Sequence, residues 1–358
     1  MPPASRVAAL LAAVAAAQST ALAAAPPRAA AVAVFSPGLG AYACFRIPAI
    51  VASPRDARHL VAFAEGRRYS CNDHGYVDLV SRTSTDGGAT WAPLALVRSE
   101  SSRAANVTVG NPAPIVVSSD LLLLPFSRDN TAAAVLRSLD FGATWALSTA
   151  ALPVAAAWSW VATGPPGGLA LPSGRLVVPI DRSGPGLPFA STAFLSDDAG
   201  ATWRVSAGAV AGGNEAQCAA LPWRSNATLH LSARASDGAG TRLAAESVDG
   251  GATWSAPWRT VAESECEASV VALPRSRRLV LSSAFSPEKR QNMTLHVSDD
   301  DGRTFTPRVR VDARAAAYSA LVDLSTDAGD AVGLLYEGGD KGIYGTILFV
   351  VVDVPATR

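Results

Sequence analysis

The chain has 358 residues, of which 49% are hydrophobic and only 17% charged, enough apolar material for one large repeat domain or two ordinary ones. Its 30 basic and 30 acidic side chains cancel, and no basic stripe stands out, which argues against nucleic acid or an acidic membrane surface as a partner. Whatever anion the protein binds must be bound locally.

Residues 1–25, MPPASRVAALLAAVAAAQSTALAAA, carry one arginine, a long Ala/Leu/Val run and small residues at the end. That is the layout of a secretory signal peptide with an A-x-A cleavage site; an Ala-rich head or an organelle transit peptide is the alternative. No later stretch of about 18 uncharged apolar residues follows, so no membrane span is expected. The run GTILFVVVDVP at 345–355 reads as a buried final strand. Sequons at Asn106, Asn226 and Asn292 are compatible with glycosylation if the signal is used.

After residue 30, short Val/Leu/Ile runs alternate with Gly, Asp, Pro and Ser clusters, an all-β pattern. One stretch recurs five times: STDGGATW at 84–91, SLDFGATW at 138–145, SDDAGATW at 196–203, SVDGGATW at 247–254 and SDDDGRTF at 298–305. The period of about fifty residues is that of a propeller or solenoid. Each copy has the chemistry of a tight hairpin turn, with Asp86, Asp140, Asp198, Asp249 and Asp300 or Asp301 placed to bond turn amides and a glycine to supply positive φ. The Trp or Phe that follows is placed to wedge between sheets, so a structural role is expected for the repeats. Between them a second repeat opens on polar residues and runs into an apolar strand: FRIPAIV at 45–51, NPAPIVV at 111–117, TGPPGGLAL at 163–171, NEAQCAAL at 214–221, CEASVVAL at 266–273 and YSALVDL at 318–324. Six such strands and five turns predict a six-bladed β-propeller spanning 31–358, with AVAVFS at 31–36 supplying the outer strand that closes the ring. A β-sandwich is the rival architecture.

At the polar ends of these strands lie Arg46, Asp73, Glu215 and Tyr318, with Arg234, Arg290 and Glu337 one strand further out. Singly, each has a bland reading: a solvated arginine, a turn-capping acid, a core tyrosine. Together they come from different repeats at comparable depth, and three guanidiniums on one axis repel each other unless an anion or carboxylates sit between them. Trp158 and Trp160 could wall such a pocket or pack between blades. SGPGLP at 183–188 reads as a flexible loop, and His74 as a solvated neighbour of Asp73 or a group that tunes it. The four histidines show no metal spacing and the cysteines no CxxC, so neither metal nor cofactor is implied.

FRIP at 45–48, FAEGRRYSCND at 63–73, NEAQ at 214–217, SAR at 232–234, KRQNMTL at 289–295, AYSAL at 317–321 and LLYEGG at 334–339 resemble the sialidase (neuraminidase) superfamily in order and spacing, and the five repeated turns resemble its Asp boxes. The resemblance is nearest to animal lysosomal-type and bacterial exo-sialidases. It implies that Arg46, Arg234 and Arg290 clamp a sialic acid carboxylate, with Glu337 orienting Arg46. It further implies Asp73 as general acid/base, Tyr318 as nucleophile, Glu215 as its partner base and Arg67 as a pocket arginine near O4. A neutral tyrosine avoids the repulsion that an ionised carboxylate nucleophile would meet from the substrate's own carboxylate, and sialidases are a known exception to the two-carboxylate scheme. The activity implied is exo-α-sialidase on sialylated glycans, either secreted or lysosomal; a non-catalytic glycan- or protein-binding propeller and a related nonulosonic acid as substrate stay open. The terminal VPATR lacks a tyrosine-based sorting tail, and no lectin domain or anchor is expected after the propeller. Cys44 and Cys71 each lie two residues before a site residue, near one mouth, and Cys218 and Cys266 on adjacent inner strands; pairings 44–71 and 218–266 are expected.

Overall fold

The computed structural model describes residues 30–356, and their regular secondary structure is almost entirely strand. The signal-peptide reading of residues 1–25 lies outside the described residues. Every strand ladder is antiparallel, in five hydrogen-bonded sheets, and the arrangement is propeller-like. The simplest sheets are four-stranded meanders, such as Cys44–Ala52, Leu60–Arg67, Val77–Ser84 and Ala95–Arg98. The last sheet has seven strands and turns on the long strand Thr306–Asp323. Residues 306–315 of that strand pair with Gln291–Ser298, and 316–323 pair with Ala331–Gly338. At the far edge, the N-terminal strand Val32–Phe35 pairs with the final strand Thr346–Asp353, Val32 opposite Phe349. The apolar run near the C-terminus is thus a strand, largely buried, and among the described residues no helix is long and apolar enough to cross a membrane.

The repeated turns show how one sheet is fastened to the next. In the first, the Gly88 amide donates to Ser84 Oγ at 2.8 Å, while Asp86 accepts from the Thr90 amide at 2.9 Å and from the Thr90 hydroxyl. The same bonds recur at 138–145, 196–203, 247–254 and 298–305, where Asp300 fills the aspartate place. The aspartate therefore closes the turn onto the threonine, and the serine takes the glycine amide. The threonine hydrogen bonds hold Asp86, Asp140 and Asp198 down at about 2. Each turn then leans on the preceding sheet: Trp91 meets Phe349 of the final strand, Trp145 meets Phe63, and Phe305 meets His230. Gly88 has φ 91°, and a Cβ there would lie 2.0 Å from Phe349, so the glycine serves both the turn and the close approach. Mixed clusters follow, one joining Ile50 and Ala62 of the first sheet to Leu335 and Phe349 of the last.

Two expectations need amending. Cys44 and Cys71 are disulfide-bonded, but Cys218 and Cys266 are free and buried. Cys218 packs with Leu231 and Ala245, whereas Cys266 packs with Ile47 and Tyr318, so the two thiols point into different clusters. Residues 183–188 are not an open loop: Leu176–Gly184 and Leu187–Ser196 run into each other as a tight hairpin. Of the sequons, Asn106 and Asn226 are exposed; Asn292 is half-buried within a strand.

Candidate active site

Three of the candidate residues sit at β-bulges, where one extra residue in a strand re-aims a side chain. Pairing runs Arg46 opposite Glu65 and then Ala49 opposite Phe63; Gly213 opposite Ala235 and then Ala216 opposite Ala233; Ala316 opposite Gly338 and then Ser319 opposite Tyr336. The inserted residues fall beside Arg46, Glu215 and Tyr318 respectively. Pro48, which has no amide hydrogen, and Ile47, with φ 57°, make the first bulge. The bulges leave amides without ladder partners, and one carboxylate serves two of them. Glu337 Oε1 accepts the Ile47 amide at 2.8 Å, and Oε2 accepts the Tyr318 amide at 3.3 Å.

The same Glu337 Oε1 accepts Arg46 Nε at 2.8 Å, and both side chains are almost wholly buried. Removing one partner of such a pair strands a charge, at a cost of about 3–5 kcal/mol. Tyr344 and Tyr318 flank the Arg46 guanidinium, with ring centroids 4.0 and 4.9 Å away. Arg46 Nη2 is buried with no partner among the described residues, and Nη1 reaches Asp73 Oδ1 at 3.2 Å.

Arg67, ending strand Leu60–Arg67, is held by Glu65 Oε2 at 3.0 Å to Nε and 2.6 Å to Nη2. Its Nη1 donates to the Cys71 carbonyl at 2.6 Å and to Asp73 Oδ1 at 2.8 Å. Asp73 thus bridges two arginines although its side chain is 73% exposed. Partial desolvation alone would raise its carboxyl, but the hydrogen bond and charge of Arg67, with the charge of Arg46, hold it below the usual carboxylate range.

Tyr318 hydroxyl donates to Glu215 Oε1, and Arg234 Nη1 donates to Glu215 Oε2 at 3.0 Å and to the Tyr318 oxygen at 3.3 Å. Burial, and then the Glu215 charge, push the phenol well above its ordinary range, so it is neutral with its proton on the path to a carboxylate. Arg290, half-buried, lies 5.7 Å from the Tyr318 ring centroid and 3.5 Å from the Tyr344 oxygen. Among the described residues it has no carboxylate within ion-pair distance.

A cavity of about 520 Å³ gathers Arg67, Asp73, Glu215, Arg234 and Tyr318 along its wall. Arg46 reaches it through Asp73, Arg290 stands against Tyr318, and Glu337 lies fully buried beneath. No residue of the five repeated turns lines it. Trp160 lines the cavity while Trp158 packs into the core, so the two tryptophans divide the two readings between them. His74, also on the wall, faces the Trp160 ring edge-on at 6.4 Å. Among the described residues no group of three His, Cys, Asp or Glu is spaced to hold a metal.

Asp181 is the wall residue that the sequence reading passed over. It is fully buried, takes the Trp160 indole N–H at 2.7 Å on Oδ2, and has no partner for Oδ1. Burial, and then the Glu215 charge, raise its carboxyl to about 7. The clue was an aspartate closing the apolar run RLVVPID. Glu65, inside FAEGRR, was likewise unassigned; it fixes Arg67 and accepts the Asn111 amide at 2.9 Å.

A family model for a BNR repeat-like domain matches residues 58–332. The chain is 27% identical over 330 residues to a sialidase of Micromonospora viridifaciens, covering 82% of this chain and 50% of that protein. It is 27% identical over 338 residues to a sialidase of Bacteroides fragilis, covering 82% of this chain and 60% of that protein. The chain therefore spans about half the length of the curated relatives it matches. Among solved structures, the Hadza microbial sialidase Hz136 superposes with a TM-score of 0.79 at 23% identity, over 90% of this chain and 68% of that one, a likeness of fold.

Proposed function

The chain belongs to the BNR repeat-like family of the sialidase superfamily, and on that premise we propose that it is a retaining exo-α-sialidase that removes terminal α-ketosidically linked sialic acids from glycoproteins, glycolipids and oligosaccharides. The observation that carries this reading is the buried Tyr318 hydroxyl bonded to Glu215 beneath Arg234, with Arg46 and Arg290 beside the same ring. A fluorogenic sialoside assayed with the purified protein from about pH 4 to about pH 7 tests it; no turnover across that range would overturn it.

On this reading Arg46, Arg234 and Arg290 take the substrate carboxylate. A planar guanidinium can present two donors to it, and Arg290 has no competing carboxylate. Glu337 keeps Arg46 ionised and pointed at the mouth. Tyr318 attacks the anomeric carbon as its proton passes to Glu215, forming a glycosyl–tyrosine bond while the leaving oxygen departs. Asp73 gives that oxygen its proton, then takes one from the water that cleaves the intermediate while Glu215 returns its proton to the departing Tyr318 oxygen, so two inversions give net retention. Arg67 contributes a donor to the sugar. A substrate carboxylate that engages Arg46 draws one cation away from Asp73, which raises the affinity of Asp73 for the proton it must deliver.

The architecture fits six blades if the seven-stranded sheet is counted as two that share strand Thr306–Asp323. For location we propose the secretory pathway, secreted or lysosomal. The Cys44–Cys71 disulfide supports an oxidising compartment.

A further inference from the structure

Resting on the acid role assigned to Asp73, we propose that Cys44 and Cys71 are positioning residues for that acid, their disulfide setting the reach of the 68–76 loop over the cavity. Asp73 belongs to no strand, and its exposed side chain has little packing to hold it. The ends of its loop are closed by backbone bonds, Ala43 N–H to the Arg67 carbonyl at 2.9 Å and Arg68 N–H to the Tyr76 carbonyl at 3.0 Å. Between those ends the one covalent tie is Cys71 to Cys44. Cys44 is fully buried and stands two residues before Arg46, so the disulfide joins the acid's loop to the strand that carries the arginine. The Cys71 carbonyl and Asp73 Oδ1 share one donor, Arg67 Nη1.

The Arg46 tie weakens at the moment it is needed, because Arg46 turns to the substrate carboxylate while Asp73 must protonate the leaving oxygen, and of the side-chain ties to Asp73 only that from Arg67 stays. The disulfide does not weaken. It holds the loop when the guanidinium lets go, and misplacement of a catalytic group by about 1 Å costs as much as about 10²-fold. Cys71 is only half-buried, so a reductant can reach it.

The test compares a natural sialyl-galactoside, whose alcohol needs a proton to leave, with an activated aryl sialoside, which needs little help. One arm is the Cys44→Ser/Cys71→Ser variant. The other is folded wild-type protein under a dithiol reductant, which ends as a cyclic disulfide after giving two electrons and two protons to leave two thiols. Cys218 and Cys266 are buried and already reduced, and burial pushes both thiols up. The expected result is a fall in kcat on the sialyl-galactoside about tenfold or more larger than on the aryl substrate, with KM little changed and recovery on reoxidation. Adding Asp73→Asn to the serine variant should then cost less than the same change costs in the wild-type protein. Equal losses on both substrates, or no loss in the reduced wild-type protein, would overturn the positioning role while leaving the sialidase reading intact. Wild-type protein inactive on both substrates would overturn that reading and this role with it.

Discussion

In the proposed mechanism Asp73 and Tyr318 act on opposite sides of one bond, so single-atom changes at the two separate attack from departure. Asp73→Asn should depress hydrolysis of a sialyl-galactoside by about 10²-fold more than that of an aryl sialoside, the lower end of what general acids contribute. Tyr318→Phe should impair both substrates alike, because the aryl group does nothing for a missing nucleophile. Equal losses for Asp73→Asn would mean the acid lies elsewhere. Arg290 offers a second residue-scale test because no carboxylate among the described residues competes for it. Arg290→Lys keeps the charge and loses the fork, so kcat/KM should fall about tenfold or more, the worth of a charge-assisted hydrogen bond of roughly 1.5–3 kcal/mol. Near wild-type kinetics would remove Arg290 from the clamp.

At the scale of the element, the repeated turn is a fastener between sheets, and its parts differ in what they protect. Trp145 is partly buried, with its ring 5.8 Å from Phe63 in a T-shaped pair. Trp145→Ala should cost about 2–3 kcal/mol, below the usual toll of a fully buried ring, and leave KM for any substrate unchanged. Gly88→Ala is the harsher change. Its new methyl would run into Phe349, at about 1–3 kcal/mol for overpacking, in a left-handed backbone that penalises any Cβ by roughly another 1 kcal/mol. Denaturant unfolding would measure both; a more stable Gly88→Ala protein would refute the account of the turn.

Over the whole molecule, the response of the fold to acid is set by buried ionisable groups of opposing sign, beginning with two histidines. His230 lies between Trp258 and Phe305, and His296 against Phe285. Burial lowers both to about 3, from about 6.5 in an unfolded chain. Below pH 6.5 the unfolded chain binds protons at these histidines that the folded one refuses, so their contribution to stability falls with pH down to about 3. The slope approaches about 1.4 kcal/mol per pH unit for each histidine. The turn aspartates have the depressed-carboxylate sign: their support is present above about pH 4 and is lost as pH falls through about 2. Asp181, raised to about 7, has the opposite sign between about pH 7 and 4, because the folded chain takes up a proton there that the unfolded one does not. Buried Glu263 and Glu267, also raised, act with it, and the loss due to the histidines between about pH 6.5 and 4 is set against that gain. Denaturant midpoints should show the stability of His230→Leu relative to the wild-type protein rising as pH falls from about 6.5 to 4; a constant difference would remove His230 from the account.

Periodic features were legible in the chain because each is local. The Ser-x-Asp-x-Gly-x-Thr-Trp turn closes on its own atoms, so five copies announced five hairpins and an all-β chain before any contact between sheets was known. The apolar runs fixed most inner strands, and the polar residues at their ends named Arg46, Asp73, Glu215, Arg234, Arg290, Tyr318 and Glu337. What the sequence could not carry was direction. Whether Cys218 and Cys266 face one another depends on which side of two strands each thiol leaves, and they leave toward different clusters. Asp181 read as the end of an apolar strand until burial beside Glu215 and a bond from Trp160 made it part of the wall. The bulges at Arg46, Glu215 and Tyr318 are register shifts between partner strands, visible only once both strands are paired. Local hydrogen bonding thus wrote the repeat into the sequence by itself, while the aim of each functional side chain was decided by tertiary pairing, because one inserted residue turns a side chain to another face and its effect depends on the strand opposite.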